Sequence, residues 1–173
     1  FLAALAAVTR QARFTDAATS ALDPLARILE APGPAAPERW PSIGACDGLG
    51  SVVYALAVSG RLLGDDRWTE AARRWAAEIS PARIASDARF DVAGGTAGAI
   101  LALLAVDEAD GPGWVRDRVR DGARRLVASQ VATGGDGGAW PGAGGRTLPG
   151  FAHGAAGIAY ALERAHAAVG GPD

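Results

Sequence analysis

Three stretches of this chain read alike: GACDGLGSVVYALA from Gly44 to Ala57, DVAGGTAGAILALLA from Asp91 to Ala105, and GFAHGAAGIAYALE from Gly150 to Glu163. Each is a glycine-rich turn that runs straight into an Ala- and Leu-rich apolar run. Aligning Ser51, Gly98 and Gly157 puts Leu56, Leu103 and Leu162 in register, five residues on in every case. A repeat of this kind, with a period of about 50 to 60 residues, marks one supersecondary unit used several times.

Amphipathic, Arg- and Asp-rich segments separate the runs, with apolar residues at helical spacing. The first places Phe14, Ala18, Ala21, Leu25 and Ile28 on one face; the second Trp68, Ala72, Trp75 and Ile79; the third Val115, Val119, Ala123 and Leu126. Pro24 falls inside the first and is expected to kink or restart it. Helices that are apolar all round thus alternate with helices that have one wet face. The former must be covered on every side, so an inner ring of apolar helices wrapped by an outer amphipathic ring satisfies both. The predicted fold is an all-α (α/α) toroid or barrel.

The glycines permit close packing at the ring axis and are expected to leave free backbone N–H groups facing a central cavity. Asp47, Asp91 and His153, beside them, should then face one end of the barrel. The Thr133–Pro149 stretch, with seven glycines, is expected to be a surface loop of little local structure. Phe1–Leu5 opens the chain already apolar and helical, and Val169–Asp173 reads as a helix stop. The expectation is one domain over residues 1–173 cut at both ends, holding about the first half of a toroid, with apolar surface along its open edge.

Composition narrows the chemistry. The chain is 49% hydrophobic with a net charge of −2, so it has no broad attraction for nucleic acid or an anionic membrane. The apolar run Val92–Val106 is shorter than the roughly 20 residues a bilayer needs. All 17 basic residues are arginine, which excludes a phosphate-loop lysine and Schiff-base chemistry within this chain. A single cysteine, Cys46, makes no internal disulfide and fits a cytoplasmic location.

The three strings, the last extended to LPGFAHGAAGIAYAL from Leu148 to Leu162, resemble the inner-helix motifs of LanC-like cyclases. The likeness is greatest to the C-terminal domain of class II (LanM-type) lanthipeptide synthetases and runs over essentially the whole chain. It implies an enzyme that adds cysteine thiols to dehydroalanine or dehydrobutyrine in a lanthipeptide precursor, forming (methyl)lanthionine thioether rings. It also leaves room for a dehydratase domain ahead of Phe1 in the parent protein. The family holds Zn2+ through two cysteines and a histidine from motifs later in the chain, so these ligands are expected to lie outside residues 1–173. Cys46 reads as a small buried residue instead.

His153 and Asp91 match the family's acid/base positions. Thioether formation leaves an enolate that needs a proton, and an imidazole titrating near ~6.5 can deliver one at neutral pH. An aspartate on its other nitrogen would orient it. Without catalysis, Asp91 would be a helix cap and His153 a buried hydrogen-bonded residue. Glu163 and His166 read as the wet end of a helix, and Trp40 and Trp140 as loop anchors. Two alternatives remain: a glycan-active α/α-barrel enzyme using Asp91 with Asp47, and a non-catalytic helical peptide-binding scaffold.

Overall fold

The computed structural model describes residues 1–28, 40–107, 112–133, 137–142 and 145–170. Parts of the Thr133–Pro149 loop (134–136 and 143–144) and of the final stop (171–173) lie outside the described residues. The described residues form eight helices: α1 (Leu2–Thr9), α2 (Ala12–Ile28), α3 (Leu49–Leu63), α4 (Asp66–Ala77), α5 (Pro81–Ser86), α6 (Thr96–Asp107), α7 (Gly113–Ala128) and α8 (Ala155–Val169).

The alternation expected from sequence is the architecture. α1, α3, α6 and α8 pack side by side in chain order as an inner layer. α2, α4 and α7 each pack outside the inner helix that precedes them and touch the one that follows. The result is an arc of an α/α toroid. In α6 nearly every side chain is buried, because Ala97, Ile100, Leu103 and Val106 point to different neighbours and no polar stripe interrupts them. In α7 only the Val115, Val119, Ala123 and Leu126 face is buried, and arginines and aspartates fill the rest.

Differences from expectation are local. On α2 it is Leu22, not Ala21, that joins Ala18 in the core; Ala21 is exposed. Pro24 does not restart α2, which runs on to Ile28, although its missing N–H removes the bond to Ser20. The described parts of the glycine-rich loop carry more local structure than expected. Val131–Ala132 (β1) and Gly138–Ala139 (β2) form a two-residue antiparallel pair, and an isolated bridge joins Pro141 to Thr147. The cause is Trp140, buried beneath the loop with Nε1 donating to Leu126 O at 2.7 Å.

On the concave face, Tyr54, Leu101 and Tyr160 occupy one register on α3, α6 and α8 and line a hollow of about 400 Å³ with Phe151. Tyr54, Phe151 and Tyr160 are exposed there, so this face of the inner layer is aromatic and open. Among the described residues no helix is long and apolar enough to cross a membrane.

Candidate active site

The three glycine turns, 44–48, 91–95 and 150–154, have one conformation and lie against one another at one end of the arc. The backbone N–H groups at the helix starts are not free, contrary to expectation. Leu49 N donates to Ser42 O at 3.0 Å, Ala97 N to Phe90 O at 3.0 Å and Ala155 N to Leu148 O at 2.8 Å. The chain leading into each turn wraps back over the helix N-terminus and supplies the missing acceptors.

Neighbouring turns are joined by main-chain bonds at equivalent positions. Cys46 N donates to Ala93 O at 3.0 Å, and Ala93 N to Ala152 O at 2.9 Å. Ala45 N also donates to Val92 O at 2.9 Å. A Cβ on Gly98 would lie 2.1 Å from Val92 O and 2.4 Å from Ala45 N, the two ends of that bond. Gly98→Ala is therefore expected to destabilise the fold by about 1–3 kcal/mol through overpacking against backbone that cannot swing aside. Gly113→Ala, with nothing within 4 Å of the added carbon, should be neutral or slightly stabilising. Urea unfolding of the two variants reads the difference, and equal midpoints would refute the close-contact argument.

This stacking brings the first residue of one turn against the fourth residue of the next. Between turns one and two these are glycines: a Cβ on Gly44 would lie 2.3 Å from Gly94 Cα. Between turns two and three they are Asp91 and His153, with Nδ1 of the imidazole 3.0 Å from Asp91 Oδ2. Asp91 Oδ1 accepts from Gly94 N at 2.8 Å. One oxygen of Asp91 thus closes its own turn, not the helix that starts at Thr96, and the other meets the histidine. Asp91 is nearly buried, whereas the His153 side chain is 65% exposed, not a buried residue. Among the described residues Nε2 meets no protein partner.

A second carboxylate, which sequence reasoning did not single out, supports this turn from beneath. Asp87 Oδ2 accepts from Phe90 N, Thr96 N and Thr96 Oγ1 at 3.1, 2.8 and 2.6 Å, and Oδ1 accepts from Arg89 N at 3.1 Å. Phe90, immediately before Asp91, is held at φ 62°, a left-handed conformation costly for a side chain of this size. It persists because the Phe90 ring is buried, the Arg125 guanidinium lies 5.2 Å from its centroid, and Arg125 Nη2 bonds Asp87 O at 2.6 Å. The available signal was Thr96, a lone hydroxyl at the head of an apolar helix with an aspartate nine residues earlier.

Asp47 does not join Asp91. Its carboxylate accepts from Ser42 Oγ at 2.7 Å and pairs with Arg89 Nη1 at 2.9 Å. Burial pushes the Asp47 carboxyl up, but hydrogen bonds from Ser42 and Arg89 and the arginine charge outweigh it and hold the group below its usual range. Cys46 is exposed on the outer side of its turn, which corrects the expectation of a buried thiol; the turn's inward contacts are made by backbone, not by this side chain. Glu163 and His166 are exposed on the last turns of α8, as their wet-end reading required. Trp40 stacks edge-on against Trp75, with centroids 4.8 Å apart.

A structural or catalytic zinc needs three or four N, S or O donors converging. Among the described residues no three His, Cys, Asp or Glu side chains form such a group, so the donors described here do not fit the ion.

Comparison with known proteins agrees with the repeat and the turn geometry. A family model described as lanthionine synthetase C-like protein matches residues 1–173. No curated protein and no solved structure matches the chain significantly. With the whole length matched, the helices alternating as the repeat requires and Asp91 meeting His153 across two of its turns, the chain belongs to the lanthionine synthetase C-like family.

Proposed function

We propose that this chain is the acid/base-bearing part of a class II (LanM-type) lanthipeptide cyclase, which closes thioether rings by adding cysteine thiols to dehydroalanine or dehydrobutyrine. The observation that carries the reading is the Asp91–His153 pair at a contact that the repeat otherwise fills with two glycines. Packing alone needs no polar group there.

The proton chemistry follows from the tautomer. A carboxylate only accepts, so Nδ1 carries the hydrogen bonded to Asp91 and Nε2 is the exchanging site. In ring closure the thiolate sulfur bonds to Cβ of the dehydroamino acid, and the π electrons move onto the carbonyl as an enolate. Protonated His153 then delivers its Nε2 proton to Cα and takes up the proton the thiol has released. Atoms balance without an oxidant or reductant. Asp91 fixes the ring and its tautomer; it does not itself transfer the proton.

The test uses the full-length protein and a dehydrated precursor peptide, with loss of free thiol followed by alkylation and mass. Asp91→Asn is expected to slow ring closure about as much as His153→Ala or less, because it disturbs orientation and leaves the proton carrier in place. A wild-type rate for Asp91→Asn would remove Asp91 from the mechanism. Turnover of a glycan with no effect on dehydrated peptide would replace the reading by a glycan-active one. Binding of the peptide without ring closure would favour a scaffold.

A further inference from the structure

Beside the turns, between α5, the 86–89 segment and the 41–43 segment, lies an open cleft of about 520 Å³. Arg83, Arg89, Ser42, Ser86 and Asp87 line it, and Gly94 forms part of its wall. Gly94 N holds Asp91 Oδ1, so the cleft begins one hydrogen bond from the His153–Asp91 pair.

Arg83 is the unusual residue. Its Nη2 donates to Trp40 O, but its Nη1 is buried and, among the described residues, has no acceptor. Burial lowers the guanidinium pKa, with the Glu78 charge opposing. Buried donors nearly always find an acceptor, and a charged one left unpaired is costly. The neighbouring carboxylates are already occupied. Asp87 takes four donors, and Asp47, just outside the cleft, is paired with Arg89.

We infer that this cleft binds one carboxylate of the peptide substrate, a Glu or Asp side chain or the C-terminus, with Arg83 as its principal donor. The inference rests on the cyclase reading above. A carboxylate seated there lays the peptide across the turn end, within reach of His153. A monoanion suits the site better than a phosphate dianion. Arg83 and Arg89 are balanced by Asp87 and Asp47, so each further negative charge meets two carboxylates as well as two guanidinium groups.

The experiment measures binding of fluorescein-labelled synthetic peptides to the full-length protein by anisotropy. Each peptide carries one dehydroalanine and one cysteine. One has a single glutamate and an amidated C-terminus, one has glutamine and a free C-terminus, and one has glutamine and an amidated C-terminus. Either carboxylate peptide should bind about 10- to 100-fold more tightly than the uncharged one, and which of the two does so identifies the source. Arg83→Gln should erase the difference. If that variant loses its fold, Arg89→Gln should reduce the difference, and acetate should compete on the wild type better than phosphate. Equal affinity for all three peptides, no binding of any, or stronger competition by phosphate would overturn the inference. Thiol loss in the same samples keeps the two readings apart. Carboxylate-dependent binding without ring closure sinks the cyclase and keeps the cleft, while ring closure with carboxylate-independent binding does the reverse.

Discussion

Replacing His153 with alanine in the full-length enzyme is expected to slow ring closure by about 10²- to 10⁴-fold, the range for removing a positioned acid or base. The loss would be chemical and not structural. The His153 side chain is 65% exposed and its one partner among the described residues is Asp91, so alanine opens no cavity and the unfolding free energy should stay within about 0.5 kcal/mol of wild type. His153→Asn sharpens the test. It can keep a hydrogen bond to Asp91 but has no exchangeable proton at the Nε2 position, so it should be as slow as alanine. Dehydration of the precursor, where the parent enzyme also carries that activity, should be spared. Should His153→Ala cyclise dehydrated peptide at the parent rate, the proton-transfer role is wrong and the pair is only a clasp between two turns.

That pair shows where sequence reasoning reaches and where it stops. Asp91 and His153 are 62 residues apart, and no spacing rule joins them. Register alone would group His153 with Asp47 and Gly94, the fourth residues of their turns. The contact instead runs from the first residue of one turn to the fourth of the next, which depends on how the turns stack. The family resemblance named the two residues, and the stacking explains why they meet.

The layers were legible for a simpler reason. Trp68, Ala72, Trp75 and Ile79 follow helical spacing, and all four are fully buried, because periodicity is a local property that packing then obeys. Features that depend on the path between helices were not legible. The wrap of 42–44 over the start of α3 satisfies N–H groups that a helix considered alone would leave bare. The Asp87 cap reaches Thr96 across a turn whose shape rests on the positive φ of Phe90, and no residue preference announces a left-handed phenylalanine. Cys46 was misjudged because free cysteine is usually buried, whereas this turn faces its backbone inward.

The largest stability effect is expected at Trp75. Its side chain is fully buried on α4, its Nε1 donates to Leu25 O of α2 at 3.1 Å, and Trp40 meets its ring at 85°. One residue thus ties two outer helices to the segment that enters the first glycine turn. Trp75→Ala should cost about 3–5 kcal/mol, from lost burial and an unfilled cavity, and lower Tm on the order of 10 °C. Trp75→Phe keeps most of the ring and loses the Leu25 bond, so it should cost about 1 kcal/mol from that bond, plus a smaller packing loss. The contrast has a functional side. Trp40 O is also where Arg83 is anchored, and the Oγ of Ser42, two residues on, sits 2.8 Å from Gly94 O. Trp75→Ala should therefore loosen the approach to turn two, whereas Trp75→Phe should leave it in place. Hydrogen exchange at the Gly94 amide, whose acceptor is Asp91, reads this directly: faster in the alanine variant, unchanged in the phenylalanine one. Identical protection in both variants, at temperatures where both are folded, would show that the outer layer holds the fold but does not position the site.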